Sequence, residues 1–250
     1  MGEFVIREDK NGAATLFLNR PEKLNALNVD LFSQLEAHVD AIAGQTDTVG
    51  LVIVRGAGRC FSAGNDLAAI AEGKGPPRAN FQGGIIEKLA NLPQPVISAV
   101  HGHCYTGGLE LALAGDLIFA SANAKFGDTH GKWAMAPIWG MSQRLPRRIG
   151  AYKAREMMFT SKTYSGAEAL AMGLANYCVP DEDFDAELDA LAATILANSW
   201  FSHRANKKLL VETDGLSLNE GLAHEVFRGQ GRGPDMEERI AGGFGSKAKA

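Results

Sequence analysis

Cysteine is scarce in this chain: Cys60, Cys104 and Cys178 are the only three in 250 residues. They are odd in number, widely spaced and form no CxxC pair, which gives no zinc or redox motif and fits a reducing compartment. An excess of one charge is also missing. The 25 Lys and Arg residues against 29 Asp and Glu leave a formal net charge of -4, which argues against nucleic acid as the main partner. No apolar run approaches membrane-spanning length, so no membrane partner is expected. The opening residues Met1-Gly2-Glu3-Phe4-Val5-Ile6 carry no apolar signal core, and Ile6 spoils a myristoylation pattern. Neither a GxxxxGK[ST] loop nor a GxSxG elbow occurs, which removes the simple nucleoside triphosphatase and α/β-hydrolase readings. Gly56-Ala57-Gly58 begins like a dinucleotide fingerprint, but Phe61 stands at its third glycine position. His101 and His103 share one strand face without a third ligand, so no metal site is expected. The remaining expectation is a cytoplasmic, enzyme-sized protein.

The stretch from Pro95 to Asp116 is the most informative one present. Val96-Ile97-Ser98-Ala99-Val100 reads as a buried strand, and Leu109, Leu111, Ala112 and Leu113 read as a helix. Gly107 and Gly108 fall at the junction, where backbone N–H groups have no partner inside the helix and the dipole favours negative charge. Glu110 lies in the same first turn. An anion-stabilising N–H beside a carboxylate suits chemistry on a carbonyl. The same pattern also describes tight packing with a carboxylate serving only the dipole.

Around this centre, residues 3–8 and 13–19 predict two strands joined at Asn11-Gly12, a hairpin signal. Asn28 predicts the cap of a helix over 29–43. Residues 48–56 predict a strand entering a glycine-rich turn, and Gly73 to Gly84, with Pro76-Pro77, predicts a mobile loop. A helix around 84–91 follows. Beyond the central stretch, short strands are expected at 117–120, 125–127 and 177–179. Helices are expected around 139–147, 151–159, 166–172 and 181–198, with a polar helical tail whose last residues fray. Alternating strands and helices to about residue 180 predict an α/β core with a helical C-terminal appendage.

Cys60-Phe61-Ser62-Ala63-Gly64-Asn65-Asp66-Leu67 follows one strand, and His103-Cys104-Tyr105-Thr106-Gly107-Gly108-Leu109-Glu110 follows another about 40 residues later. With Asn19-Arg20-Pro21, Leu24-Asn25-Ala26-Leu27, Leu145-Pro146-Arg147-Arg148-Ile149-Gly150 and Ala169-Leu170-Ala171-Met172-Gly173-Leu174-Ala175, the chain resembles the enoyl-CoA hydratase/isomerase (crotonase) superfamily over nearly its whole length. The resemblance implies a spiral of strand–strand–helix repeats over residues 1–195 that holds a coenzyme A thioester. It also implies a C-terminal helical region over 196–250 that packs between subunits as homotrimers or dimers of trimers. Trp200, Phe201, Leu209, Leu210, Val226 and Phe227 are apolar residues that so short a tail could hardly bury alone.

By resemblance, the substrate is an acyl-CoA thioester, with no cofactor beyond the coenzyme A that it carries. The thioester oxygen gains negative charge as an enolate forms, and two backbone N–H groups, at Ala63 and Gly107, would hold it. Lys23, Leu24, Ala26, Gly64, Asn65, Asp66, Leu67 and Gly108 would line the coenzyme A path, with Lys23 and Arg20 as candidates for steering phosphates. Glu110 matches the first catalytic glutamate of the hydratases. The second position, four residues after Phe126, is His130, which can act as base or acid near neutrality. Asp128 is a further acid beside it, or a turn residue. Ile138 stands where the family commonly has glycine, and Ala134 and Met141 also replace glycines. These changes predict a narrower, drier pocket, with Ile138 displacing water and with Trp133, Met135 and Trp139 shaping the acyl end. Three functions follow: hydration of a 2-enoyl-CoA by Glu110 and His130, double-bond isomerisation by Glu110 alone, or acyl-CoA binding without turnover.

Overall fold

Asn11 and Gly12 both take positive φ, 52° and 86°, the backbone of a two-residue turn whose twist matches paired strands. They join β1 (Val5–Lys10) to β2 (Ala13–Leu18) in an antiparallel hairpin. The computed structural model describes residues 2–72 and 75–243. Asn28 caps α1 (Val29–Ala43), its side chain accepting from Leu31 N at 2.9 Å. There follow β3 (Leu51–Gly56), α2 (Leu67–Ala71), α3 (Phe81–Ala90), β4 (Val96–Val100), β5 (His103–Tyr105) and α4 (Gly107–Ala112). Next come β6 (Leu117–Ser121), β7 (Lys125–Gly127), α5 (Met141–Ile149), α6 (Ala151–Thr160), β8 (Tyr164–Ser165), α7 (Gly166–Ala171) and β9 (Tyr177–Val179). The chain then runs through α8 (Phe184–Leu196), α9 (Trp200–Glu212), α10 (Leu218–Arg228) and α11 (Met236–Gly242).

The strands form two sheets. Six lie in the order β1-β2-β3-β4-β6-β9, parallel from β2 onward, and three in the order β5-β7-β8. Successive chain segments therefore alternate between sheets: β4 enters the large one and β5 the small one, then β6 the large and β7 the small. Ser62 bridges Cys104 in parallel, so the segment after β3 takes the same path. All five residues of β4 are buried, as expected for a parallel strand covered on both faces. Val52, Val96 and Ile118 pack on the side of α1 and α3, whereas Leu51, Ile53, Ile97 and Phe119 meet Phe184 and Leu188 of α8.

Several boundaries differ from expectation. The segment expected as a loop to residue 84 already contains α3 from Phe81, launched by Asn80 in a left-handed conformation. Residues 73 and 74 of that segment lie outside the described residues, as do 244–250 of the expected frayed tail. The helix expected over 181–198 opens as a separate 3-10 turn, Asp181–Asp183. In the C-terminal region, α9 is docked on the core. Trp200 covers the space that side chains at Gly12 and Gly50 would need, and buried Lys207 donates to Gln94 O at 3.0 Å and Asp116 Oδ2 at 2.7 Å. Helix α10 has no buried residue, and Leu218, Leu222, Val226 and Phe227 are exposed on it.

Candidate active site

Two backbone segments meet where the two glycine-rich motifs converge. Residues 62–66 are tied to the loop after β2: Ser62 Oγ donates to Asn25 O at 2.8 Å, Leu27 N to Gly64 O at 2.8 Å and Asp66 N to Leu27 O at 2.8 Å. Ala63 N–H donates to Leu24 O at 2.9 Å. That bond corrects the donor expected at Ala63, whose N–H is already used. Asn65 N–H, in contrast, donates to no group among the described residues. It lies beside Gly107, where an added Cβ would stand 3.4 Å from Asn65 N. Gly64, with φ 103°, makes this approach; a Cβ there would be 2.9 Å from Tyr105 O and 3.5 Å from Gly107 N.

The turn into α4 is strained and held in place. Thr106 has φ 51° and ψ -113°, a conformation costly for a β-branched residue. Its N–H donates to Gly127 O at 2.9 Å, and its hydroxyl accepts from Thr129 N at 3.1 Å and bonds the Thr129 hydroxyl at 2.5 Å. Gly107 N–H, at the first position of α4, is thereby aimed out of the helix without a partner among the described residues. The sequence carries no signal for Thr106, because a positive φ at threonine follows from these long-range bonds. Gly108 packs so closely on Ser62 that a Cβ would come 2.7 Å from its carbonyl oxygen.

Behind these donors lies a line of buried ionisable groups. Glu110 is 1% exposed. Its Oε1 accepts from Trp139 N at 2.9 Å and Met141 N at 3.2 Å, while Oε2 faces His130 Nε2 at 3.8 Å. His130 Nδ1 lies 2.6 Å from Asp128 Oδ1, which also accepts His130 N–H at 3.1 Å. Burial, the largest influence, lifts the Glu110 carboxyl above its ordinary range, although both backbone donors and His130 pull it down. Burial by itself would lower the His130 imidazole, but its hydrogen bond to Asp128 and the charges of Asp128 and Glu110 raise it on balance. The sequence therefore undervalued Asp128: it is a buried partner of the imidazole.

Ile138 does not crowd this line. Its side chain is 77% exposed, which corrects the expectation that it displaces water. The bulk comes from Trp139, buried edge-on to Phe32 at 5.2 Å, with Cζ3 2.5 Å from where a Cβ on Gly107 would be. Trp133 is 56% exposed. A cleft of about 300 Å³ opens beside this indole, lined by Asn28, Asn65, Gln82, Ile138 and Trp139 among others. It adjoins a second space of about 390 Å³ bounded by Lys23, Ala68 and Glu72. Exposed Lys23 can thus meet a ligand, and Leu67 is exposed nearby.

Arg20 and Asp66 also border this second space, and both are fixed in the fold. Buried Arg20 Nη1 donates to Ala26 O at 2.6 Å and Asp66 Oδ2 at 2.9 Å. Asp66 Oδ1 accepts from Ala69 N at 3.3 Å, capping α2. Burial works against the Asp66 carboxylate, yet Arg20 and the helix amides hold it below its ordinary range. Leu24 and Ala26 contribute carbonyls to the same framework. Among the described residues no cluster of His, Cys, Asp and Glu could hold a metal, and no helix is long and apolar enough to cross a membrane.

A model of the enoyl-CoA hydratase/isomerase family matches residues 8–228. The chain belongs to that family. It is 34% identical over 248 residues to a probable peroxisomal enoyl-CoA hydratase of Arabidopsis thaliana, covering 95% of this chain and 92% of that protein. It is also 31% identical over 250 residues to the 1,2-epoxyphenylacetyl-CoA isomerase of Escherichia coli, covering 96% of this chain and 95% of that one. Among solved structures, an enoyl-CoA hydratase from Bacillus anthracis superposes with a TM-score of 0.89 at 30% identity, covering 96% of this chain and 95% of that chain. The chain thus shares an α/β fold with a hydratase and family membership with hydratases and isomerases.

Proposed function

We propose that the protein adds water to the double bond of a 2-enoyl-CoA, with Glu110 and His130 dividing the proton transfers. The observation that carries this reading is the facing pair itself, Glu110 Oε2 and His130 Nε2 at 3.8 Å, beside two unoccupied backbone donors. Asn65 and Gly107 N–H groups receive the thioester oxygen as it becomes an enolate oxyanion. His130 Nε2 takes a proton from water while the water oxygen bonds to the β-carbon. Glu110, its carboxyl raised by burial, gives its proton to the α-carbon as the enolate collapses. One water is added, and the proton on His130 then returns to Glu110 through solvent or the next water.

A second reading rests on the family, whose description takes in isomerases beside hydratases, and on the two backbone N–H groups that hold Glu110. There Glu110 alone removes a proton from one carbon and returns it to another, with His130 outside the chemistry. Loss of enoyl-thioester ultraviolet absorbance with crotonyl-CoA, absent in Glu110→Gln, supports hydration. No loss in either protein, with turnover of a 3-enoyl-CoA, overturns it in favour of isomerisation. Acyl-CoA binding without turnover of either substrate, unchanged in Glu110→Gln, returns the non-catalytic reading.

The alternation of strands between two sheets supports a spiral core. The exposed row Leu218, Leu222 and Val226 on α10 supports assembly into trimers or pairs of trimers. A monomer by light scattering at micromolar concentration would count against that assembly. Three unpaired thiols support a cytoplasmic location.

A further inference from the structure

We infer that Asp128 is a positioning residue that lets a histidine stand in for a carboxylate: it fixes the His130 tautomer with Nε2 toward Glu110 and carries the balancing charge. This inference rests on the proposed role of His130 in proton transfer. The geometry is specific. Asp128 is 1% exposed, and one oxygen, Oδ1, takes both the His130 backbone N–H at 3.1 Å and the ring Nδ1 at 2.6 Å. The backbone bond fixes the carboxylate before the ring is considered, so the ring turns to meet a preset acceptor. A carboxylate accepts and does not donate, so Nδ1 keeps its hydrogen and Nε2 becomes the exchanging site.

Charge completes the argument. A neutral histidine bonded to an aspartate carries one negative charge in total, and a protonated one carries none. Those are the charges of a glutamate before and after it takes a proton. The Asp128–His130 pair can therefore do a glutamate's proton work opposite Glu110, at the higher affinity for protons that the imidazole brings. Among the described residues, the charged groups influencing the ring are Asp128 on its own segment and Glu110 on α4. Without Asp128, only the charge of Glu110 would oppose the desolvation that disfavours the ring's cation, and Nδ1 would be free to lose its hydrogen.

The test is nitrogen NMR of the 15N-histidine-labelled full chain, with the His130 resonances assigned through His130→Gln. In the wild type, Nδ1 should stay protonated at every pH and Nε2 should titrate above 6.5. Asp128→Asn should lower that midpoint by about one pH unit or more and populate the other tautomer. The acidic limb of the kcat profile for hydration should move by the same amount, and Asp128→Glu should restore part of the shift. A wild-type His130 that titrates at or below 6.5, or whose titration is unchanged in Asp128→Asn, overturns the inference. Because the wild-type titration decides by itself, a poorly folding variant does not protect the idea. Full hydration in His130→Gln would instead overturn the role of His130 in proton transfer, and this inference with it, whatever the titration shows.

Discussion

Lys207 of α9 reaches under the sheet and places Nζ 2.7 Å from Asp116 Oδ2, the same oxygen that accepts the Val96 N–H at the start of β4. A C-terminal helix is thus tied to the strand that leads directly to Gly107 and Glu110. Lys207→Ala should remove the ion pair at the Asp116 carboxylate, leaving Arg148 as its remaining neighbouring cation, and destabilise the protein by about 2 kcal/mol. That is below the range of about 3–5 kcal/mol for fully buried pairs because Asp116 is 35% exposed. Lys207→Met, which keeps the apolar stem, should lose less. Urea unfolding of the two variants checks the order, and equal stability of both with the wild type would show that the tie is energetically idle.

Glu110→Gln should lower turnover by about two orders of magnitude or more, the scale of lost acid–base help, while the fold is kept. The amide oxygen can still accept from Trp139 and Met141, which now bond Oε1. Steady-state kinetics with a circular dichroism control separates the two effects. Near-full activity would remove Glu110 from the chemistry.

At residue 107 any side chain meets the Trp139 ring. Gly107→Ala should cost about 1–3 kcal/mol of stability by overpacking and also abolish most turnover. Trp139→Leu in the same chain should recover stability by vacating the contact. If the double variant were no more stable than the single one, the indole would not be the obstacle. Gly107→Pro, which deletes the N–H itself, should abolish thioester chemistry.

Acid should favour the folded state through the buried pair. Both Glu110 and His130 bind protons more tightly folded than at their ordinary values of 4.5 and 6.5. The folded protein therefore holds more protons than the unfolded chain, and stability falls as pH rises, from above 4.5 for Glu110 and above 6.5 for His130. Relative to the double variant Glu110→Gln, His130→Gln, the wild type should be more stable at pH 5 than at pH 8. Denaturant titrations of both proteins at these two pH values measure the difference, and a gap that widens toward pH 8 would contradict the sign.

What could be read from sequence tracks how local its cause is. The Asn11-Gly12 turn and the Asn28 cap depend on neighbours within three residues, and both stand as expected. The donor at residue 63 or 65 is decided by Leu24, whose carbonyl takes one N–H and leaves the other. No spacing within the motif records that choice. The tie of Arg20 to Asp66 was hidden because the two are 46 residues apart in sequence. Ile138 and Trp139 exchange inside for outside at the turn before α5, where Gly140 takes φ 112°. Asp128 is ambiguous for a different reason: a turn carboxylate and an imidazole partner look alike until the ring's direction is known.

The indole at residue 200 has a use beyond packing. The chain has three tryptophans, and their surroundings differ: Trp133 is 56% exposed, Trp139 is 6% exposed beside Gly107, and Trp200 is half-buried against Gly12 and Gly50. Their intrinsic fluorescence is therefore divided among solvent, the cleft and the docking of α9. With Trp133→Phe removing the wet background, a ligand entering beside Gly107 would be seen through Trp139, and release of the C-terminal helix through Trp200. Their emissions overlap, so replacing Trp200 or Trp139 as well leaves a single reporter, of occupancy beside Gly107 or of the seating of α9 on the core.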